Sequence, residues 1–260
     1  EAKRVSNARP ENLTAYDMVL QGLEYHRRSN LTRSEASKAL ELFEKAIETD
    51  PTYARAYAWR ACSLSNAAGW DPESYPKDWF DICHASATRA LELDPDDHEA
   101  NRIMGAISLF LRDFDLARHH HDRAEELCPS DSYILGKNAE MRLYLGNPEE
   151  GLEKVTWAMR INPFCPDDLL EKDGKCRYWL EDFDGALASF KKMRTESRDG
   201  LFYSAATFKK LGREEEALDM LRRGIRLADV SIETFVESQP FQDQARNREL
   251  QEVLESIEST

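Results

Sequence analysis

A short pattern recurs four times along this chain, with an alanine placed five residues before a proline. The prolines are Pro51, Pro95, Pro129 and Pro163, so the successive intervals are 44, 34 and 34 residues. Proline cannot continue a helix, because it lacks an amide hydrogen and clashes with the preceding turn, so we expect each one just beyond a helix end. A period of this size predicts a repeat architecture in which neighbouring units share a continuous core.

Small residues recur at two further places in each unit, one in each of two predicted helices. In the first helices they are Gly22, Ala61, Gly105, Ala139 and Ala205, and in the second helices they are Ala39, Cys83, Ala117, Gly151, Ala186 and Ala217. Larger side chains follow four residues after most of the second set, on the same helical face. They are Phe43, His121, Val155, Phe190 and Leu221. We expect these faces to point inward, with the small residues allowing close helix contact.

This combination of spacings resembles the tetratricopeptide repeat family from about residue 12 to residue 227. The resemblance implies an all-α fold, a right-handed superhelical solenoid of about six helix pairs with C-terminal capping helices. The pairs are predicted at 13–50, 53–94, 97–128, 130–162, 166–194 and 201–227, with insertions near 29–34 and 69–77. Further helices are predicted at 231–237 and 242–257. The predicted division is a linker from a missing N-terminal domain at 1–11, the repeat array at 12–227 and the capping helices at 228–260.

The chain is acidic, with a formal net charge of −14 and a pI of about 5.0. Binding to phosphate backbones or anionic lipid depends on Lys and Arg, so we expect neither a nucleic-acid nor a membrane partner. The sequence has no apolar stretch long enough to span a bilayer. Its five cysteines form no C-x-x-C pair, and we interpret them as small, mostly buried residues in a reducing cytoplasm.

No catalytic motif is present, so we expect no enzymatic activity, no cofactor and no metal site in this chain. The run His119, His120 and His121 is the most conspicuous cluster of potential ligands. Consecutive helical residues point about 100° apart, so the three imidazoles cannot share one ion. His121 occupies an inward repeat position, and the other two are expected at the surface.

The resemblance to tetratricopeptide repeats implies a concave groove lined by the first helix of each pair. Its partner would be a protein or peptide, or the effector domain of the parent protein. Applied residue by residue, the family pattern places a mixed basic and aromatic set on that wall: Arg55, Arg102, Phe110, Tyr144, Lys175, Tyr178, Trp179 and Phe202. Aromatic rings with polar edges are common anchors of protein contacts. The alternative is that the aromatic stripe packs internally, against the array or the C-terminal helices.

Two end segments carry a second resemblance. Residues 12–25 (NLTAYDMVLQGLEY), 230–235 (VSIETF) and 240–243 (PFQD) are similar to the repeat region of bacterial class III adenylate or guanylate cyclases. Those enzymes hold two metal ions with paired aspartates on a mixed sheet, and no strand-period sequence here could build that sheet. The resemblance therefore implies a cytoplasmic regulatory part, excised from a longer signalling protein in cAMP signalling. The alternatives are a winged-helix transcription regulator and a scaffold that forms homodimers.

Overall fold

The computed structural model describes residues 13–27, 33–70 and 75–258 of the 260-residue chain. These ranges contain fourteen α-helices and no strand. In chain order the helices are α1 Leu13–His26, α2 Arg33–Thr49, α3 Ala54–Trp70, α4 Trp79–Leu93, α5 His98–Phe110, α6 Phe114–Leu127, α7 Ser132–Tyr144, α8 Pro148–Ile161, α9 Asp167–Trp179, α10 Phe183–Phe190, α11 Arg198–Lys210, α12 Glu214–Ala228, α13 Ile232–Glu237 and α14 Gln244–Glu258. The predicted all-α class is confirmed.

The turns inside successive helix pairs share one backbone geometry. Arg112, Gly146, Glu181 and Gly212 all have positive φ angles and stand at equivalent places between the two helices of a pair. A left-handed residue ends a helix, because it redirects the chain away from the helix axis. The following helix often begins with an aspartate cap, as where Asp113 accepts a hydrogen bond from the Leu116 amide.

Small residues lie at the helix contacts where the repeat spacing predicts them. A Cβ atom added to Gly22 would lie 2.7 Å from the Phe43 ring, and one added to Gly105 would lie 2.7 Å from the His121 ring. Both rings are buried. The inward positions of the second helices are therefore filled by rings or branched side chains that pack directly on a small residue of the partner helix.

The chain divides into two compact units, one ending at Cys128 and the other beginning at Pro129. The first contains the helix pairs α1–α2, α3–α4 and α5–α6. The second contains α7–α8, α9–α10 and α11–α12, followed by the predicted capping helices α13 and α14. Within this second unit, Leu250, Leu254 and Ile257 of α14 and Phe235 of α13 belong to the same core cluster as Phe202 and Tyr203.

Parts of the sequence interpretation lie outside the described residues. They are the linker at 1–11, Asn12, most of the insertion at 29–34 and the centre of the insertion at 69–77. The last of these insertions ends near Tyr75 and Trp79, which are partly buried against the core of the first unit. In the described ranges, every helix is too short or too polar to cross a membrane.

Candidate protein-interaction surface

Three aromatic side chains of the second unit hold the chain's own C-terminal segment. Phe202 of α11 stacks on Phe235 of α13, with ring centroids 4.0 Å apart and planes inclined by 9°. Further along, Phe241 contacts Tyr144 at 5.0 Å and Trp179 at 5.2 Å, in both cases edge to face. Such geometries suit the ring quadrupole and add to the energy of burial. The two rings of the segment thus pack on side chains from three different helix pairs.

Polar contacts fix the same segment in place. The Tyr144 hydroxyl donates to Gln239 Oε1 at 3.1 Å, and the Gln242 amide donates to the Tyr144 carbonyl at 2.9 Å. The Arg246 guanidinium lies 4.8 Å from the centre of the Trp179 ring. A surface that pairs aromatic faces with both side-chain and main-chain hydrogen bonds can hold a polypeptide in one register. Here the occupant is residues 235–246, which we call the tail segment.

Beneath the tail segment lies a fully buried lysine. The Lys175 ammonium donates to the Tyr144 hydroxyl at 2.8 Å and to Asp199 Oδ2 at 2.9 Å. It also lies 5.3 Å from the Tyr203 ring centre. Burial alone would lower the pKa of Lys175, but the Asp199 carboxylate and the neighbouring phenols raise it well above its usual value. The lysine is therefore held as a cation that fixes the Tyr144 hydroxyl.

Glu140 connects this lysine to two others. Its carboxylate lies 3.1 Å from Lys137, 3.8 Å from Lys175 and 4.0 Å from Lys172. Burial alone would raise the pKa of Glu140, but the three ammonium groups outweigh it and lower the pKa far below 4.5. Lys172 is 1 % exposed and also pairs with Asp168. Buried charges of both signs thus neutralise each other along α7 and α9.

In the first unit, the predicted wall residues have other partners. Arg55 Nε donates to Asp97 Oδ2 at 3.0 Å. Asp97 is also the N-terminal cap of α5. Arg102 is 3 % exposed, pairs with Glu99 at 2.6 Å and lies 5.5 Å from the Trp59 ring centre. Phe110 is 65 % exposed at the end of α5. The two arginines therefore support the local fold, and the phenylalanine is open to a partner.

The eight predicted wall residues thus differ in accessibility. Arg102, Tyr144, Lys175, Tyr178 and Phe202 are buried, Arg55 and Trp179 are partly exposed, and Phe110 is exposed. In the second unit, Tyr144, Trp179 and Phe202 pack against the tail segment, and Tyr178 packs against Tyr203, so the aromatic stripe packs internally there. A partner would reach Tyr144 and Phe202 only after the tail segment leaves. The role of these residues in partner binding stays a prediction.

Sequence reasoning missed the residues that occupy the stripe. Phe235, Gln239 and Phe241 stand in the segment predicted to form capping helices, and none of the three was named as a contact of the stripe. The signal available was the apolar spacing of Phe235 and Phe241 around Pro240, which is unusual for a merely polar cap. That spacing indicates that the two rings are buried in packing contacts, but it does not indicate which surface they contact.

Within the histidine run, His121 lies inward and His119 is exposed, as predicted, whereas His120 is only partly exposed and not at the open surface. His121 is 2 % exposed and packs under Gly105, while the His119 and His120 rings contact each other at 5.0 Å. His120 Nδ1 lies 3.0 Å from Asn101 Oδ1. In the described part of the chain, no three His, Cys, Asp or Glu side chains converge as a metal-binding group.

No protein-family model matches the sequence, and no curated protein resembles it at a significant level. Solved structures are similar in fold. PilW, a type IV pilus biogenesis factor, aligns with a TM-score of 0.61 and 17 % identity over 85 % of this chain and 96 % of its own. The tetratricopeptide repeat protein TTC0263 of Thermus thermophilus aligns with a TM-score of 0.58 and 13 % identity, over 76 % of this chain and 98 % of its own.

The Cut9–Hcn1 assembly of the APC/C aligns with a TM-score of 0.67 and 14 % identity, over 94 % of this chain and 42 % of the other. Identities this low establish a shared fold and nothing about partners. The fold agrees with the helix pairs, the small residues at their contacts and the 34-residue period. This chain therefore has the fold of a tetratricopeptide repeat protein.

Proposed function

We propose that this chain is a non-catalytic protein-interaction module, in which residues 12–227 form the binding array and residues 228–260 its cap. The observation that supports it is the tail segment, a stretch of polypeptide held by Tyr144, Trp179 and Phe202 through stacked rings and hydrogen bonds. Side chains that hold one polypeptide this way can hold another of the same chemistry. The buried cation Lys175 keeps the Tyr144 hydroxyl in position for it.

The partner segment follows the pattern of the tail segment. Phe235 and Phe241 are six residues apart, and each ring packs on a different aromatic partner, Phe202 for the first and Trp179 for the second. A partner with two aromatic side chains at that spacing would replace them, and a basic residue beyond the second ring would lie over Trp179 as Arg246 does. In the first unit, considered by itself, the exposed Phe110 offers a contact to a protein partner.

The direct test uses a peptide of residues 231–246 and a chain that ends at Asp229. Fluorescence anisotropy should report binding of the labelled peptide, and Trp179→Ala should weaken that binding at least tenfold. Trp157→Ala is the matched control, because Trp157 is half exposed on α8 and should leave binding unchanged. An absence of binding to a shortened chain of normal helical content would overturn the proposal.

A second measurement uses the full chain, so it does not depend on whether the shortened chain folds. In the full chain, Phe241→Ala removes both ring contacts of that residue and loosens the tail segment. The peptide should then bind this variant more tightly than the unaltered chain. Equal affinities would contradict the proposal.

We further propose that the array is the regulatory C-terminal part of a cytoplasmic class III nucleotidyl cyclase in cAMP signalling. The sequence similarity at residues 12–25, 230–235 and 240–243 supports it. The parent's own effector domain is then the partner. Five cysteines without a disulfide agree with a reducing compartment.

Translation of the reading frame upstream of Glu1 tests the parent directly. A cyclase domain with its paired aspartates, and cyclic nucleotide production by the longer protein but not by this chain, are the expected results. A winged-helix sequence there would overturn the cyclase proposal and leave the binding module intact. Light scattering at several concentrations distinguishes a scaffold that forms homodimers, which would show a concentration-dependent doubling of mass.

A further inference from the structure

A cysteine and a histidine face each other in the first unit. His26, the last residue of α1, has its Nε2 atom 3.6 Å from Cys62 Sγ on α3. Its other nitrogen, Nδ1, lies 2.8 Å from the Ser63 hydroxyl. One ring nitrogen is therefore oriented by a buried serine while the other meets the sulfur. This is the arrangement in which an imidazole can take a proton from a thiol and hold the thiolate beside it.

The surroundings of the pair favour a negative sulfur. The His26 ring rests edge to face on Trp59, with centroids 5.0 Å apart, and the Arg102 guanidinium lies over the same indole. Burial alone would raise the pKa of the Cys62 thiol, but the His26 imidazole and, more weakly, Arg102 lower it to about 7. Glu99, which pairs with Arg102, opposes this effect only partly.

The other described cysteines with a shifted pKa differ from Cys62. Burial raises the pKa of Cys83 to about 12 and that of Cys176 to about 12, and both side chains are inaccessible. Cys165 is partly exposed like Cys62, yet burial raises its pKa as well. Reactive thiols are those that combine access with thiolate character, and Cys62 has both.

We propose that Cys62 is a redox modification site, at which hydrogen peroxide converts the thiolate to a sulfenic acid with His26 as proton partner. The sulfur attacks one peroxide oxygen, so the S–O bond forms while the O–O bond breaks. The departing hydroxide takes the proton of the His26 imidazolium and leaves as water. Sulfur is oxidised, the peroxide is reduced, and His26 ends neutral. The modified side chain can no longer form an ion pair with His26, which weakens the link between α1 and α3.

The test treats the reduced full chain with hydrogen peroxide at pH 7 and traps sulfenic acid with dimedone. Peptide mapping by mass spectrometry should find the adduct on Cys62 well before Cys165, the matched partly exposed thiol. Cys62 and Cys165 labelled at equal rates would overturn the proposal.

Replacement of the histidine tests its part in the reaction. His26→Asn should return the pKa of Cys62 from about 7 to its ordinary value of 9.0 or above, which lowers the thiolate fraction at pH 7 about fiftyfold. A more basic thiolate is intrinsically more nucleophilic, and this compensates for about a factor of ten in the lost thiolate fraction. We therefore expect the rate of Cys62 oxidation to fall about fivefold. His84→Asn on α4 is the control and should leave the rate unchanged. An unchanged rate in His26→Asn would contradict the role of the imidazole.

The pH dependence of the unaltered chain supplies a measurement that does not depend on how the variants fold. The rate of Cys62 alkylation by iodoacetamide should rise with pH and reach its midpoint near pH 7, the pKa of the thiol. The groups that face the sulfur and set this pKa are His26 from α1, Arg102 and Glu99 from α5, and Cys83 from α4. A midpoint near pH 9 would overturn the proposal.

Discussion

The rings of Phe202 and Phe235 lie parallel, 4.0 Å apart, and both side chains are fully buried. The two residues are separated by the whole of α12, so their stacking joins the last helix pair to the C-terminal helices. Phe235 also contacts the Tyr203 ring edge to face. A helix of six residues could not form alone, and its position depends on this packing.

Phe235→Ala should therefore destabilise the second unit by about 3–5 kcal/mol, the usual cost of removing a buried phenylalanine ring. Urea denaturation followed by circular dichroism measures the loss. Phe164→Ala is the matched control, because Phe164 is 87 % exposed and its loss should change stability by less than about 0.5 kcal/mol. A similar small change in both variants would show that the stacked pair does not hold the tail segment.

Lys175→Met should also destabilise the second unit, by about 3 kcal/mol, because the largely buried Asp199 and Glu140 carboxylates would each lose their ion pair with the Lys175 ammonium. Lys210→Met removes a lysine from the more exposed pair with Glu249, and it should cost less than about 1 kcal/mol. Denaturation midpoints of the two variants can be compared directly. Equal costs would mean that the buried network contributes no more than a surface ion pair.

Acid should weaken the second unit through Glu140. Burial raises the pKa of Glu140, but Lys137, Lys172 and Lys175 outweigh burial and hold the pKa in the folded state below 4.5. The ionised Glu140 therefore contributes fully to the stability of the fold above pH 4.5. This contribution is lost as the pH falls toward the pKa of the folded state. Glu140→Gln should be less stable than the unaltered chain at pH 7 and should lose less stability between pH ~5 and ~3. Glu249→Gln, at an exposed pair, should keep the original slope. Parallel pH curves for Glu140→Gln and the unaltered chain would contradict this prediction.

Gly105→Ala should destabilise the first unit by about 1–3 kcal/mol, since the new methyl group would lie 2.7 Å from the buried His121 ring. The double variant Gly105→Ala with His121→Val should recover much of that loss, because the repeat tolerates valine at the equivalent Val155. A double-mutant cycle in urea gives the coupling energy. Simple additivity of the two substitutions would show that the glycine is not required by the ring.

The helix pairs could be predicted from the sequence because their determinants are local. A proline beyond the second helix of each of the first four pairs, small residues at the helix contacts and a period of 34 residues are readable without coordinates. The burial of Phe43, Val155, Phe190 and Leu221 follows from their common helical face, and the structure confirms it. His121 was correctly placed inward on the same argument.

The candidate sites depended on contacts between distant residues. The tail segment lies on Tyr144, whose hydroxyl meets Gln239 across 95 positions of sequence, and no periodicity encodes that pairing. The interpretation of the five cysteines as small, mostly buried residues likewise followed from their spacing along the sequence, whereas Cys62 is partly exposed and meets His26 across 36 positions.

The sequence by itself determined the helix pairs and the side chains that face inward, because each of these follows from spacing along a helix and from the conformational limits of proline. Only the tertiary structure decided which wall residues are accessible, that a cation is buried under Tyr144 and that one thiol lies beside an imidazole. The physical reason is that the burial of a side chain and the pairing of its charge depend on which helix faces are in contact. Those contacts are determined by the packing of the whole unit.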